Sequence, residues 1–305
     1  MTHFDLGIAW NWEYDRDFVF AVEHECAALG ISAYRVEPHN IDETLKQLRS
    51  GTLAFRCFLD RASDADESFE PLARFVVESE IPVINDFDNI ERAKDKATMH
   101  LEFIANGLNA PYTLIISPFN KKKEVELSLS QLARLGRPFI IKPANTTGGG
   151  IGVVLGAETL KQVIAERQHH KNDKYLLQET VKPVNLNGRD AWFRVLFAFG
   201  EVFPCWWSVA THEYTSVSPE EETNFHLREL HSVMQKIHSI CRLDFFSSEI
   251  ALNAERKFIV VDYVNEICDM RLKSKHPDGV PDSIVHAIAH LIARDAAQRI
   301  SRSHA

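Results

Sequence analysis

The stretch RPFIIKPANTTGGGIGVV runs from Arg137 to Val154, and its reading decides the fold. A short apolar run carries one lysine, Lys142, and leads into a polar loop. Three consecutive glycines follow, Gly148, Gly149 and Gly150, and then a second apolar run. Ordering glycine is entropically costly, and a two-residue hairpin turn needs at most two residues of positive φ. The extra glycines therefore suit a backbone that something must approach closely. Strand, glycine loop and strand can fold over phosphates and offer them backbone N–H groups. Thr146 and Thr147 add hydroxyls, and the Lys142 ammonium lies within reach of the same loop. A Walker loop would place the lysine after the glycines. A protein kinase would carry H-R-D and D-F-G downstream, and the chain has neither. Taken alone, the loop is equally compatible with a flexible hairpin tip beside a surface lysine.

Working outward, the chain toward the N-terminus alternates strand and helix. LGIAW, ISAYRVE, LAFRCFLDRAS and IPVIND read as strands. RDFVFAVEHECAALG, IDETLKQLRSG and FEPLARFVVESE read as helices. Such a series predicts a parallel sheet with helices on its faces. Ligands on these sheets bind at the carboxyl ends of the strands, which puts WNWEYD and DRASD at a binding edge. The first strand–helix turn lacks a glycine fingerprint, which argues against a Rossmann dinucleotide site. Next, IERAKDKATMHLEFIANG reads as one helix, YTLIIS as a strand and KKKEVELSLSQLARLG as a loop and helix. Beyond the glycines come the helix AETLKQVIAERQHH, the strand KYLLQETV and the hairpin AWFRVLFAFGEVFPCWWSVA. A helix from Ser218 to Cys241, a second hairpin SSEIALNAERKFIVVDYVNE and a final amphipathic helix complete the pattern.

That second hairpin carries Glu249 on one strand, and Asp262 and Asn265 on the other. The turn NAERK brings Glu249 and Asp262 near one another. Carboxylates on apolar strands are costly unless satisfied. Two carboxylates and an amide oxygen form a hard-oxygen set suited to Mg²⁺, which commonly bridges nucleotide phosphates. The alternative is a pair of strand-end polar groups facing water.

The bulk numbers fit this. The 305 residues are 45% hydrophobic and 25% charged, an ordinary globular composition with room for two or three structural units. The net charge of −9 argues against a general nucleic-acid binder. It leaves room for a phosphate ligand, because a few lysines and a metal reverse the local field. The five cysteines are scattered and form no C-x-x-C, so neither a disulfide framework nor a zinc site is expected. No basic n-region and no membrane-length apolar run is present, so no membrane partner is expected and a cytoplasmic protein is the default.

Lysine, glycine loop, QE strand and acid–acid–Asn hairpin occur in that order, and in this the whole chain resembles the ATP-grasp superfamily. It is most similar to the carboxylate–amine ligases, such as ribosomal-protein glutamate ligases, glutathione synthetases and D-alanine ligases. The resemblance implies an α/β fold, α+β in its C-terminal part. Residues 1–88 would form a pre-grasp domain on a parallel sheet, 89–180 a subdomain with the glycine flap, and 181–305 a subdomain with the metal site. It implies ATP and Mg²⁺ as cofactors, and small-molecule or peptide carboxylate and amine substrates joined through an acyl phosphate. Homo-oligomerisation is compatible with it. A small-molecule kinase and a non-catalytic nucleotide module are the alternatives.

By the same resemblance, Lys96 and Lys142 contact phosphates, and Thr146, Thr147 and Gly148–Gly150 form the flap. Gln178, Glu179 and Val181 form the hinge that reads adenine. Arg194 contacts the γ-phosphate or acyl phosphate, and Glu249, Asp262 and Asn265 hold Mg²⁺. The chain departs from the family in three places. The metal strand reads D-x-x-N rather than E-x-N, N-x-S-P-G is replaced by NEICDMR, and only Asn187 or Asp190 stands near the place of the ribose acid. Residues three apart on a regular strand face opposite ways, so joint ligation by Asp262 and Asn265 requires a bulge between them.

Other residues invite simpler readings. His226, His231 and His238 lack the spacing of one helix face, and neither they nor His169–His170 complete a metal pattern. Trp206–Trp207 reads as packing. Trp10, Trp12, Asp60 and Arg61 sit at strand ends as substrate-side candidates, with buried aromatics and a capping Asp as the alternative. Arg271 reads either as a carboxylate binder or as half of a surface salt bridge.

Overall fold

A computed structural model describes residues 1–146 and 152–302. The alternating N-terminal pattern forms β1 (Thr2–Trp10), α1 (Arg16–Ala28), β2 (Ala33–Val36), α2 (Ile41–Arg49), β3 (Leu53–Arg61), α3 (Glu70–Glu78) and β4 (Val83–Ile84). The strands are parallel in the order β2-β1-β3-β4. Both faces of this sheet are covered, which is why β1 and β3 read as apolar runs. On one face Phe55 and Phe58 of β3 pack with Leu45 of α2 and Leu72 of α3.

Two helices then follow, α4 (Phe87–Lys94) and α5 (Lys96–Ala105), where the sequence suggests one. Asp95 breaks them. Its ψ of 93° is non-helical, and its carboxylate accepts from Ala97 N at 3.0 Å and Thr98 N at 3.3 Å, capping α5. The helix expected from Ser218 to Cys241 is likewise two, α8 (Pro219–Asn224) and α9 (Glu229–Cys241). His226, with φ of +57°, turns the chain between them.

A second sheet is antiparallel and runs β5-β8-β6-β7. It comprises β5 (Thr113–Ile116), β6 (Phe139–Pro143), β7 (Val154–Ala157) and β8 (Tyr175–Glu179), with α6 (Leu129–Leu135) and α7 (Leu160–Glu166) between strands. A two-stranded ribbon, β9 (Asn185–Leu186) and β10 (Arg189–Asp190), carries Asn187 at its turn, so Asn187 and Asp190 lie on an exposed ribbon. The third sheet is antiparallel in the order β13-β12-β11-β14-β15. Its strands are β11 (Trp192–Ala198), β12 (Glu201–Trp207), β13 (Tyr214–Ser216), β14 (Phe245–Leu252) and β15 (Phe258–Asn265). Helix α10 (Asp282–Arg302) ends the described chain.

One apolar cluster joins the first sheet to the third. Leu6 and Ile8 of β1, Phe18 and Val22 of α1, Phe245 of β14, and Ile288 and Ile292 of α10 all belong to it. Buried polar contacts reinforce the join. Asn85 donates to Phe245 O at 2.6 Å and accepts from Phe245 N at 2.9 Å. Among the described residues, no helix is long and apolar enough to cross a membrane.

Candidate active site

The site lies between the second and third sheets, where β6 and β8 face β14 and β15. Lys142 sits on β6, next but one to Ile140, so the two share a face. Ile140 pairs directly with Gln178 of β8, and Gln178 with Thr113 of β5. Lys142, Ile140, Gln178 and Thr113 therefore face the third sheet together. Lys142 crosses the gap and donates to Val261 O at 3.2 Å, with its nitrogen 5.1 Å from the centre of the Tyr263 ring. It is only 6% exposed. Burial lowers its pKa below the usual lysine range, and Lys96 pushes the same way; Asp262 and Glu249 pull it back only in part.

On the third sheet, β14 is the central link. Arg194 of β11 pairs with Glu249 of β14, and Glu249 pairs with Asp262 of β15. The Arg194 guanidinium donates to Glu249 Oε1 at 2.5 Å and to Ser247 Oγ at 3.2 Å. Burial, the largest single influence, opposes its charge, but Glu249, Tyr214 and Asp262 together outweigh it and raise its pKa. Burial pushes the Asp262 carboxyl up, yet Lys96, Lys142 and Arg194 together hold it below the usual carboxylate range. Asp262 is thus kept ionised in the cleft.

The D-x-x-N spacing has a backbone solution. Ser247 pairs with Asn265 and Glu249 with Asp262, so two residues on β14 answer three on β15. The irregularity required between Asp262 and Asn265 is present, and it turns Asn265 to the Arg194 side. With its amide oriented to satisfy both neighbours, Asn265 accepts from Arg194 Nη2 and donates to Ile267 O at 3.0 Å. Arg194 thus stands between Glu249 and Asn265 as their cation.

Lys96 opens α5, and its backbone N–H donates to Ala144 O at 3.1 Å, two residues past Lys142. That contact brings both lysines to the same wall. The Thr146 hydroxyl donates to Asp173 Oδ2 at 2.7 Å, and Asn145 donates to both oxygens of the same carboxylate. Asp173 therefore anchors the start of the glycine loop, which the spacing alone does not reveal. Thr147 and Gly148, Gly149 and Gly150 lie outside the described residues. Just beyond them, Gly152 has φ of +76°, and an added Cβ would stand 3.1 Å from Pro143 Cγ. The Glu179 carboxylate accepts from Tyr112 N at 2.7 Å. Val181 packs on Ala251, Ile259 and Val261.

Sequence reasoning passed over Tyr263 and His100. The Tyr263 hydroxyl lies 2.8 Å from His100 Nδ1 and 3.0 Å from Gln178 Nε2. Burial, with Lys142 nearby, lowers the His100 pKa to about 4, so the ring is neutral. The position of Tyr263 beside Asp262 was the only signal available.

Several strand-end candidates turn out to be structural. Arg61 is buried in a two-point pair with Asp15, both distances 2.7 Å, and donates to Cys268 O at 2.8 Å. Asp60 caps the turn at Ala62 and Ser63. Trp10 is buried, while Trp12 remains exposed at the sheet edge. Arg271 spends its guanidinium on Asp269 and Asp278, which is the salt-bridge alternative. Trp206 is core, packed 4.8 Å from the Phe193 ring centre. Trp207 stacks on His212 with ring centres 5.4 Å apart. Among the described residues, no group of three His, Cys, Asp or Glu side chains could hold a metal. The described histidines form no metal site, and Glu249 and Asp262 are the carboxylates paired across β14 and β15.

Two carboxylates and an amide oxygen still fit Mg²⁺. That ion is usually held by one or two protein carboxylates, with substrate phosphates and water completing its octahedron. Lys96 and Lys142 stand on the opposite wall.

The chain matches no family model and no curated protein. Solved structures do match. A RimK-domain ATP-grasp protein from Sphaerobacter thermophilus aligns over 95% of this chain and 98% of its own, with a TM-score of 0.62 and 16% identity. D-alanine–D-alanine ligase from Bacillus anthracis complexed with ATP aligns over 100% of both chains, with a TM-score of 0.64 and 11% identity. The macrocyclase MdnC from Microcystis aeruginosa, bound to precursor peptide MdnA, aligns over 94% of this chain and 99% of its own, with a TM-score of 0.63 and 11% identity. Alignment over nearly the whole length at TM-scores of 0.62 to 0.64 gives this chain the ATP-grasp fold.

Proposed function

We propose that this protein is an ATP-dependent carboxylate–amine ligase. The observation that carries the reading is the facing of Lys142 and Lys96 against Arg194, Glu249, Asp262 and Asn265 across one cleft. A substrate carboxylate oxygen attacks the γ-phosphorus, the bond to ADP breaks, and an acyl phosphate forms. An amine then attacks the acyl carbon, phosphate leaves, and the amine loses a proton to give the amide.

Each residue has a role in this scheme. Lys96 and Lys142 bind phosphate oxygens from one wall. Arg194 leaves Glu249 and Asn265 and follows the charge on the transferring phosphoryl group. Glu249, Asp262 and Asn265 would hold Mg²⁺, which would supply charge neutralisation to the phosphates. Thr146, Thr147 and Gly148–Gly150 cover the phosphates and keep water from the acyl phosphate. Glu179 and Val181 offer backbone groups to the base, and Gln178 offers its side chain. The scheme needs no enzyme nucleophile.

In this reading the chain divides at 88 and 180, each stretch carrying one of the three larger sheets, while α4 and α5 pack on α9 and β15 and α10 packs on α1. Solved proteins of this fold carry ATP or a precursor peptide, which supports peptide or small-molecule substrates here. The test is a screen of phosphate release from ATP and Mg²⁺ over paired carboxylates and amines, with products identified by mass. A joined product plus ADP and phosphate is expected. A phosphorylated product without free phosphate would instead make the protein a kinase.

A further inference from the structure

Gln178 is fully buried, and its side-chain oxygen has no hydrogen-bond partner. Its amide nitrogen has two, Thr113 Oγ1 at 3.1 Å and Tyr263 Oη at 3.0 Å. Hydrogen-bond accounting fixes which end is which. The Thr113 hydroxyl donates to Pro111 O at 2.9 Å, and a carbonyl can only accept. Thr113 Oγ1 must therefore accept from Gln178, so the amide nitrogen faces it. The second amide hydrogen goes to Tyr263 Oη, and the tyrosine proton then goes to His100 Nδ1 at 2.8 Å. A neutral histidine accepts there, in keeping with the lowered pKa of His100. Donors and acceptors are matched along the whole chain from Pro111 to His100. Only Gln178 Oε1 is left over, on the sheet face shared with Lys142.

A buried carbonyl oxygen without a donor is destabilising unless a ligand supplies one. Resting on the nucleotide reading above, we infer that Tyr263 is a positioning residue that holds Gln178 with its oxygen toward the base and so selects adenine over guanine. Adenine carries an amino donor at its six-position, where guanine carries a carbonyl acceptor. An acceptor fixed by two hydroxyls satisfies the first and repels the second. Lys142, on the same face, reaches across to Val261 O. The metal strand thereby gains a second use, since the residue after Asp262 orients the base reader.

The test is equilibrium binding of ATP and GTP, each with Mg²⁺, to the wild-type chain, Tyr263→Phe and Thr113→Val. Tyr263→Phe keeps the ring beneath Lys142 and against Phe103, and removes only the hydroxyl. Wild type is expected to prefer ATP. Each variant is expected to bind ATP about tenfold more weakly with GTP binding unchanged, so the preference collapses. Thr113→Val tests the same amide from its other side should Tyr263→Phe fail to fold. Equal losses for both nucleotides, or an unchanged preference in a folded variant, would overturn the inference and leave the ligase reading intact. A wild-type chain that binds neither nucleotide would overturn the ligase reading, and this inference with it.

Discussion

Arg194 stands directly opposite Glu249 in the β11–β14 ladder, with Nη1 and Oε1 2.5 Å apart. Asp262 stands opposite Glu249 on its other side, so the guanidinium bound to Glu249 also offsets the charge of a second carboxylate on the neighbouring strand. A bound metal would take over that duty and free Arg194 for phosphate.

Replacing Arg194 with methionine should therefore expose the repulsion it masks. Removing one partner of a buried ion pair costs about 3–5 kcal/mol. We expect metal-free Arg194→Met to lose stability of that order in urea titrations, and millimolar Mg²⁺ to restore part of it. A variant whose stability ignores Mg²⁺ would argue against metal binding at Glu249 and Asp262.

Lys142→Met tests the opposite wall. The methionine keeps the buried stem and removes the ammonium. ATP affinity is expected to fall at least tenfold, equivalent to about 1.4 kcal/mol, while the unfolding midpoint changes little. Calorimetric titration with ATP reads the first and a denaturant curve the second. Wild-type affinity in a folded variant would remove Lys142 from the phosphate site.

Asp262→Asn keeps shape and hydrogen-bonding capacity but removes the charge that faces Lys96, Lys142 and Arg194. Turnover should fall by a hundredfold or more, in the range seen when one electrostatic group of an active site is lost. The Mg²⁺ concentration for half-maximal rate should rise as well. Steady-state rates at varied Mg²⁺ separate the two effects.

His100 predicts a pH dependence. Its folded pKa is about 4, against an unfolded value of about 6.5. Between these values the unfolded chain binds the extra proton, so stability falls as the pH drops from 6.5 toward 4. The loss amounts to about 3 kcal/mol across the window. Subtracting the stability profile of His100→Gln from that of wild type isolates it. A flat difference would mean that His100 titrates normally.

The buried pair Arg61–Asp15 is the last case. Asp15→Asn leaves a buried guanidinium, still bound to Cys268 O, without its counter-charge. A loss of about 3–5 kcal/mol is expected, and the double change Arg61→Met with Asp15→Leu should cost less than either single change. Denaturant curves of the three variants decide it.

Much of the architecture could be read along the chain. The 3.6 and 2.0 periodicities separate helices from strands wherever one face is buried, so the parallel first sheet and both later hairpins follow from local pattern. The order of Lys142, the glycines, Gln178–Glu179, Glu249 and Asp262 likewise points to a phosphate cleft, because charged groups on apolar strands need partners. Two breaks escaped, at Asp95 and His226, because each sits in a continuous helical pattern and is set by one residue's backbone angles. What the tertiary structure alone decided is which groups meet. Sequence leaves Arg271 and Arg61 open between ligand-side and structural readings, and packing gives each its acids. The bulge that turns Asn265 toward Arg194 depends on strand register, and the network from Thr113 through Gln178 and Tyr263 to His100 joins four elements. Pattern along a chain records which face is buried. It holds no record of which distant donor will satisfy which acceptor, because that pairing exists only once the sheets have packed.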